Sequence, residues 1–232
     1  MAQSGAAMIV VENATVDHPE GSGSDRTIRA DTDENLDGLS ELAATIKGQG
    51  ALARLQINHA GRFAGCEKPV APSSVDTFGR KPEALSLERI EQIRDKFADA
   101  ALRAKNAGFD MVEIHGGTGY LAVQFLSPRT NKRDDAYGGS LENRMRFPLE
   151  VLSKVLASVG SFPVGWRFMA DEWLPDGLKL EESCKFAKAL SDSGVSYISV
   201  MGGTYESFFL PEIIEKSKKI GYMADLAAAI GK

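Results

Sequence analysis

The sequence predicts an α/β fold, a (β/α)8 TIM barrel present only in part. Three observations carry this. Five short runs rich in apolar and β-branched residues recur: "AAMIVVEN", "ALARLQINHA", "GFDMVEIHG", "FPVGWRFMA" and "VSYISVMGG". Stretches with helical periodicity separate them, and strand–helix alternation with right-handed crossovers yields either an open doubly wound sheet or a barrel. Four of the five runs end in polar or glycine-rich chemistry: "QINHAGR", "EIHGGTGY", "WRFMADE" and "SVMGGTYE". A barrel gathers such ends at one face, whereas an open sheet spreads them along an edge. Five strands do not close an eight-stranded barrel, so the chain reads as incomplete. Its tail, "GYMADLAAAIGK", reads as a helix leading toward a further strand.

Each run is nearly continuous in apolar character, as expected of parallel strands buried on both faces. After the first comes "NLDGLSELAATIKGQG", where Leu36, Leu39, Leu42 and Ile46 recur at helical spacing and Gly48 and Gly50 stop the pattern. After the second comes "SLERIEQIRDKFADAALRAKNAGFD". Ser86 caps it, Ile90, Ile93, Phe97, Ala100, Ala101 and Ala104 form one stripe, and Gly108 follows its end. The third run leads to "SLENRMRFPLEVLSKVLASVG", which starts at Ser140 with Glu142 in its first turn; Pro148 is expected to kink or split it. "KLEESCKFAKALSDSG" follows the fourth run, and "PEIIEKSKKIGYMADLAAAIGK" holds one or two more helices. No long linker or low-complexity segment interrupts residues 1–232, which read as a single domain.

Composition narrows the class. The 232 residues, 43% of them hydrophobic, suffice for a large core. A net charge of −5, mixed in sign along the chain, gives no electrostatic reason to expect nucleic acid or an anionic membrane as partner. Cys66 and Cys184 lie far apart, with neither a metal-site spacing nor a disulfide framework. No apolar run approaches the ~20 residues of a membrane helix, and the N-terminus lacks the basic region of a signal peptide. A reducing, cytoplasmic setting is the expectation.

The chemistry concentrates in "EIHGGTGYLAVQFLSP", Glu113 to Pro128, which begins as a strand and passes into histidine, threonine, tyrosine and three glycines. Glycines at a strand end let backbone lie close to a flat ligand. The stretch continues into "RTNKRDDAYGGSLENRMRF", whose alternating charges read as bracing for a long loop. Together with "QINHAGRFAG" and "KPVAPSSV" upstream and "GWRFMADEW" downstream, it resembles the Old Yellow Enzyme family of NADH:flavin oxidoreductases. The resemblance spans nearly the whole chain and implies that about the second to sixth βα units are present. In the family the last two barrel strands carry much of the flavin-phosphate site.

The resemblance assigns roles residue by residue. Gln56 matches the glutamine that hydrogen-bonds the pyrimidine edge of FMN; an amide there can also satisfy backbone groups at a barrel mouth. Arg167, inside an otherwise apolar strand, matches the cation beside the flavin; its alternative is an internal ion pair with Glu113 or Asp171. His115 matches the residue that binds the carbonyl or nitro oxygen of the substrate, although a lone histidine is more often structural. Where the family has His or Asn three residues on, this chain has Thr118, so either the substrate is unusual or His115 holds the oxygen nearly alone. Tyr120 matches the proton donor, against a packed tyrosine with its hydroxyl at the rim. Tyr205, in "MGGTYESFF", lines the substrate pocket or simply packs the mouth. His59 and Arg62 suit loop-stabilising contacts as well as ligand contacts.

The implied function is an FMN-dependent ene-reductase using NADH or NADPH on a small activated alkene. One alternative is the barrel part of a larger flavoprotein acting on enoyl-, dienoyl- or aryl-CoA thioesters, with an iron–sulfur cluster in a C-terminal part beyond this sequence. Another is a non-catalytic fragment that associates through open sheet edges. Homo-oligomerisation stays open. A Schiff-base lyase is disfavoured because no lysine ends any of the five strands.

Overall fold

In the computed structural model, which describes residues 1–231, the five runs become one parallel sheet. β1 (Met8–Thr15) and β2 (Leu52–Asn58) are adjacent, and a separate two-stranded pair, β3 (Val70–Ala71) and β4 (Glu83–Ala84), follows. β5 (Met111–Gly116), β6 (Val164–Met169) and β7 (Tyr197–Met201) complete the sheet in the order β1-β2-β5-β6-β7, with every neighbouring pair parallel. This is the arc of a barrel, each strand lying beside its predecessor. Lys232, the last residue of the tail, lies outside the described residues.

The helices fall where the periodicity puts them: α1 (Leu36–Lys47), α2 (Leu87–Asn106), α4 (Leu141–Val159), α5 (Leu180–Asp192), α6 (Pro211–Ser217) and α7 (Ala224–Ile230). The short α3 (Leu121–Leu126), between the catalytic-looking turn and Pro128, has no periodic signal and is buried along its whole length. Ser86 and Ser140 cap α2 and α4, each hydroxyl accepting the backbone N–H three residues on. Pro148 does not split α4, which is one helix through that point. Its buried face, including Phe147, Val151, Leu152 and Val155, packs on α2 and α3, and Phe147 stacks on Phe125 at 4.1 Å. That packing outweighs the one backbone hydrogen bond that proline removes.

The strands differ from the expected continuous apolar runs. Side chains alternate in polarity down each inner strand. Leu55 and Ile57, Val112 and Ile114, and Trp166 and Phe168 are fully buried in the core beneath the helices; Phe186 of α5 lies against both aromatics of β6. The opposite face carries Arg54 and Gln56, Glu113 and His115, and Arg167, aligned row by row across the sheet. Apolar neighbours on the helix side mask this polar face in the linear sequence.

The loop after α3 is braced as its charges suggest. Asn131 donates to the carbonyls of Phe125 and Tyr137, Arg133 to those of Pro72 and Leu85, and Arg144 to that of Leu126. Among the described residues, no helix is long and apolar enough to cross a membrane.

Candidate active site

The inner face of the sheet leads to one mouth. Gln56 and Glu113 are register partners on β2 and β5, and the amide Nε2 donates to Glu113 Oε1 at 2.6 Å. Glu113 is buried and also meets Arg54 at 3.2 Å and the Tyr197 hydroxyl at 3.1 Å. Glu113, one of the two carboxylates of the alternative reading for Arg167, is therefore engaged by Arg54. Arg167 makes no ion pair among the described residues and donates instead to Ser199 Oγ at 2.8 Å. One cation on this face thus stands beside a neutral partner, one row nearer the mouth.

His115, Arg167 and Ser199 form that row across β5, β6 and β7. The His115 Nδ1 accepts the backbone N–H of Gly117 at 3.1 Å, so the proton of the neutral ring is on Nε2. Burial, and then the charge of Arg167, hold its pKa down at about 3. His115 is consequently a neutral N–H donor, not an imidazolium, at physiological pH.

Beyond Gly116 the chain turns sharply. A Cβ on Gly116 would lie 2.2 Å from the Trp166 indole, and Gly119, at φ +92°, faces Phe63 and Thr204. These glycines make room for the protein's own side chains. Thr118, also left-handed at φ 59°, directs its hydroxyl to Met201 Sδ at 3.6 Å. It is brought to the turn, but its one donor points at sulfur.

Tyr120 follows as the residue capping α3, and it is buried. Its ring meets that of His115 edge-on at 4.9 Å. Its hydroxyl lies 2.8 Å from that of Tyr205 and accepts from Asn13 Nδ2 at 3.3 Å. Burial foremost, with the Tyr205 hydrogen bond adding to it, keeps the phenol protonated well above its ordinary range. Phe63 packs edge-on against Tyr205 and Tyr120 at 5.1 and 6.4 Å. Asn13, Gly23, Ser24, Thr27, Phe63, Tyr120 and Tyr205 line a pocket of about 400 Å³. A larger groove, about 820 Å³, runs along the edge of β7 beside α5 and α7, away from this chemistry.

The loops behind the mouth are laced together. Leu121 N–H donates to His59 C=O at 3.0 Å, while the Gln124 side chain bridges Ala60 C=O, Gly119 C=O and Arg62 N–H. Arg62 is buried against Glu206 and Thr77, and the His59 ring accepts from Gly61 N–H and lies 3.7 Å from Asp17. Both make internal contacts.

Gln56, His115, Thr118, Tyr120, Arg167 and Tyr205 are thus gathered at one end of one sheet. The sequence missed Asn13, although the first run ends on it in "VVEN", and it missed Gln124, an amide inside the apolar "YLAVQFL". The chain matches the NADH:flavin oxidoreductase / NADH oxidase family model over residues 1–217. It belongs to that family.

Among curated relatives, this NADH:flavin oxidoreductase family member is 43% identical over 240 residues to an NADH oxidase of Thermoanaerobacter brockii, covering 100% of this chain and 37% of that one. It is 38% identical to an NADPH dehydrogenase of Halalkalibacterium halodurans, covering 97% of this chain and 65% of the relative. The chain therefore spans less than two thirds of either. Among solved structures, a 2-naphthoyl-CoA reductase in complex with 2-naphthoyl-CoA superposes with a TM-score of 0.92 at 29% identity, over 99% of this chain and 38% of the other. The incomplete barrel, the Old Yellow Enzyme resemblance and the flavin and nicotinamide cofactors expected from the sequence agree with these matches.

Proposed function

We propose that this chain, as the flavin-ring-binding and proton-donating part of its protein, serves an NAD(P)H-dependent reductase of activated C=C bonds. The observation that carries the reading is the pairing of a neutral N–H donor, His115, with a buried protonated phenol, Tyr120, ring against ring at 4.9 Å. One group suits a substrate's electron-withdrawing oxygen; the other suits protonation of the carbon beside it.

The remaining donors fit FMN. Gln56 has Nε2 committed to Glu113, which leaves its carbonyl oxygen for a ligand N–H at a pyrimidine edge. Arg167, beside only a neutral hydroxyl, supplies a fixed cation for charge that gathers on reduction. Held by Gln56 and Arg167, FMN would supply the hydride chemistry between NAD(P)H and the β-carbon of the alkene. His115 Nε2–H holds the withdrawing oxygen and draws electron density toward it. Tyr120 Oη–H gives its proton to the α-carbon. Tyr205 and Phe63 wall the substrate side. The two unpaired cysteines suit a reducing cytoplasm.

The test is NAD(P)H oxidation by the FMN-loaded protein with 2-cyclohexen-1-one, alongside visible absorbance during FMN addition. Enone-dependent turnover and a shifted flavin band are expected. The absence of both would overturn the reading.

A second reading has the same site in a larger thioester reductase. The TM-score of 0.92 to 2-naphthoyl-CoA reductase favours it, as does Thr118, whose hydroxyl faces Met201 and leaves His115 without a second oxygen donor. Turnover with aryl- or enoyl-CoA but not with the enone would select it.

A further inference from the structure

A buried acid that gives up its proton must regain one before the next cycle. Tyr120 is 6% exposed, and its hydroxyl has two polar neighbours. Asn13 Nδ2 only donates, so it steadies the oxygen but cannot hand over a proton without losing an amide hydrogen. The other neighbour is the Tyr205 hydroxyl at 2.8 Å, which can donate or accept. Tyr205 is 37% exposed and stands on the "MGGTYES" loop after β7, so the residue in contact with the buried acid is itself reached by solvent. Its ring is held by Phe63, Tyr120 and Phe208 at centroid distances of 5.1, 5.9 and 6.3 Å.

We propose that Tyr205 is the proton relay that connects Tyr120 to solvent. This rests on the reading of Tyr120 as the proton donor. As the Tyr120 O–H bond breaks toward the substrate carbon, the Tyr205 O–H bond breaks toward Tyr120 Oη, and a water O–H bond breaks toward Tyr205 Oη. Each phenol oxygen loses one proton and gains one, the water is left as hydroxide in bulk solvent, nothing is oxidised or reduced by the relay, and the net transfer is one solvent proton to carbon. Asn13 holds the Tyr120 oxygen in line throughout by donating to it.

The relay is tested with Tyr205→Phe, which keeps the packed ring and removes only the hydroxyl. In the ligand-free full chain carrying 13Cζ-labelled tyrosine, exchange of the Tyr120 hydroxyl proton with D2O is read from the deuterium isotope shift at Cζ. It is expected to slow about ten-fold or more in the variant. In the FMN-loaded chain, reoxidation of reduced flavin by 2-cyclohexen-1-one is expected to slow by a similar factor, well beyond any change in reduction by NADPH. A second measurement needs no variant: the wild-type rate of that reoxidation in H2O/D2O mixtures should bow downward with deuterium fraction, as more than one proton in flight requires. A straight line, or unchanged hydroxyl exchange in Tyr205→Phe, overturns the relay. If Tyr120→Phe reduces the enone at the wild-type rate, the donor reading itself falls; if that variant is inactive while Tyr205→Phe matches wild type, only the relay falls.

Discussion

Gln56 and Glu113 face each other across β2 and β5, the amide nitrogen of one donating to the carboxylate of the other at 2.6 Å. An amide has two faces, a donor and an acceptor, and this contact decides which is left over. The carbonyl oxygen is the acceptor that remains. Arg54 and the Tyr197 hydroxyl complete the coordination of the carboxylate, so a buried charge has its partners.

Replacing Glu113 should therefore have two separable effects. Glu113→Ala leaves Arg54 without its counter-charge and should cost about 3 kcal/mol in urea unfolding. Glu113→Gln keeps the volume but lets the Gln56 amide reverse. Flavin affinity, followed by fluorescence quenching, should then weaken roughly ten-fold, the scale of one hydrogen bond.

Tyr120→Phe separates the half-reactions. Flavin reduction by NAD(P)H should proceed at the wild-type rate, while alkene-dependent reoxidation drops by about 10²- to 10⁴-fold, the usual worth of a placed general acid. Stopped-flow absorbance of the flavin reads both steps. An equal drop in the two would assign Tyr120 to binding.

His115 links the site to acid stability. Its pKa lies near 3 in the fold against an ordinary value of 6.5, because burial and Arg167 disfavour the imidazolium. Between those limits the unfolded chain binds the extra proton and the native chain does not, so stability is lost as pH falls from about 6.5 toward 3. One proton gives a slope of at most about 1.4 kcal/mol per pH unit. His115→Gln should flatten the dependence of Tm on pH between 6.5 and 4.5. Below that window, Asp17 adds a loss of its own: burial opposes its ionisation, but the neighbouring His59 ring and the Lys96 ammonium prevail and hold it at about 2.

The cap of α2 offers a test away from the chemistry. Ser86 Oγ accepts the N–H of Arg89 at 3.1 Å. Ser86→Ala should cost about 1 kcal/mol in denaturant unfolding and leave flavin affinity untouched.

Local signals made most of the fold legible. Ser86 and Ser140 announce their helices, and the stripe from Ile90 to Ala104 is the buried face of α2. Pro148 misled because backbone chemistry alone argues for a break, while the contacts that keep α4 whole come from α2 and α3. The short α3 was invisible for a related reason: all six of its residues are buried, so no polar face gives it a period.

The site was legible where a motif concentrates it and opaque where partners are distant in sequence. His115 and Tyr120 stand five residues apart. Asn13 reaches Tyr120 over 107 positions and Tyr205 over 85, spacings that no periodicity encodes. Glu113 was visible as a buried carboxylate, yet its choice of Arg54 over Arg167 is set by register between strands. Around the glycines after His115, the linear sequence did not show that Trp166, Phe63 and Thr204 lie where a Cβ would stand.

The most direct test asks whether these strand ends recognise a flavin ring. Lumiflavin, which carries the ring without ribityl phosphate, isolates that contact. Titrated into the full chain, it should bind saturably at one site, with the double variant Gln56→Ala/Arg167→Ala weakening it at least ten-fold. Binding that is absent, or indifferent to both substitutions, would contradict the convergence of these side chains on one isoalloxazine.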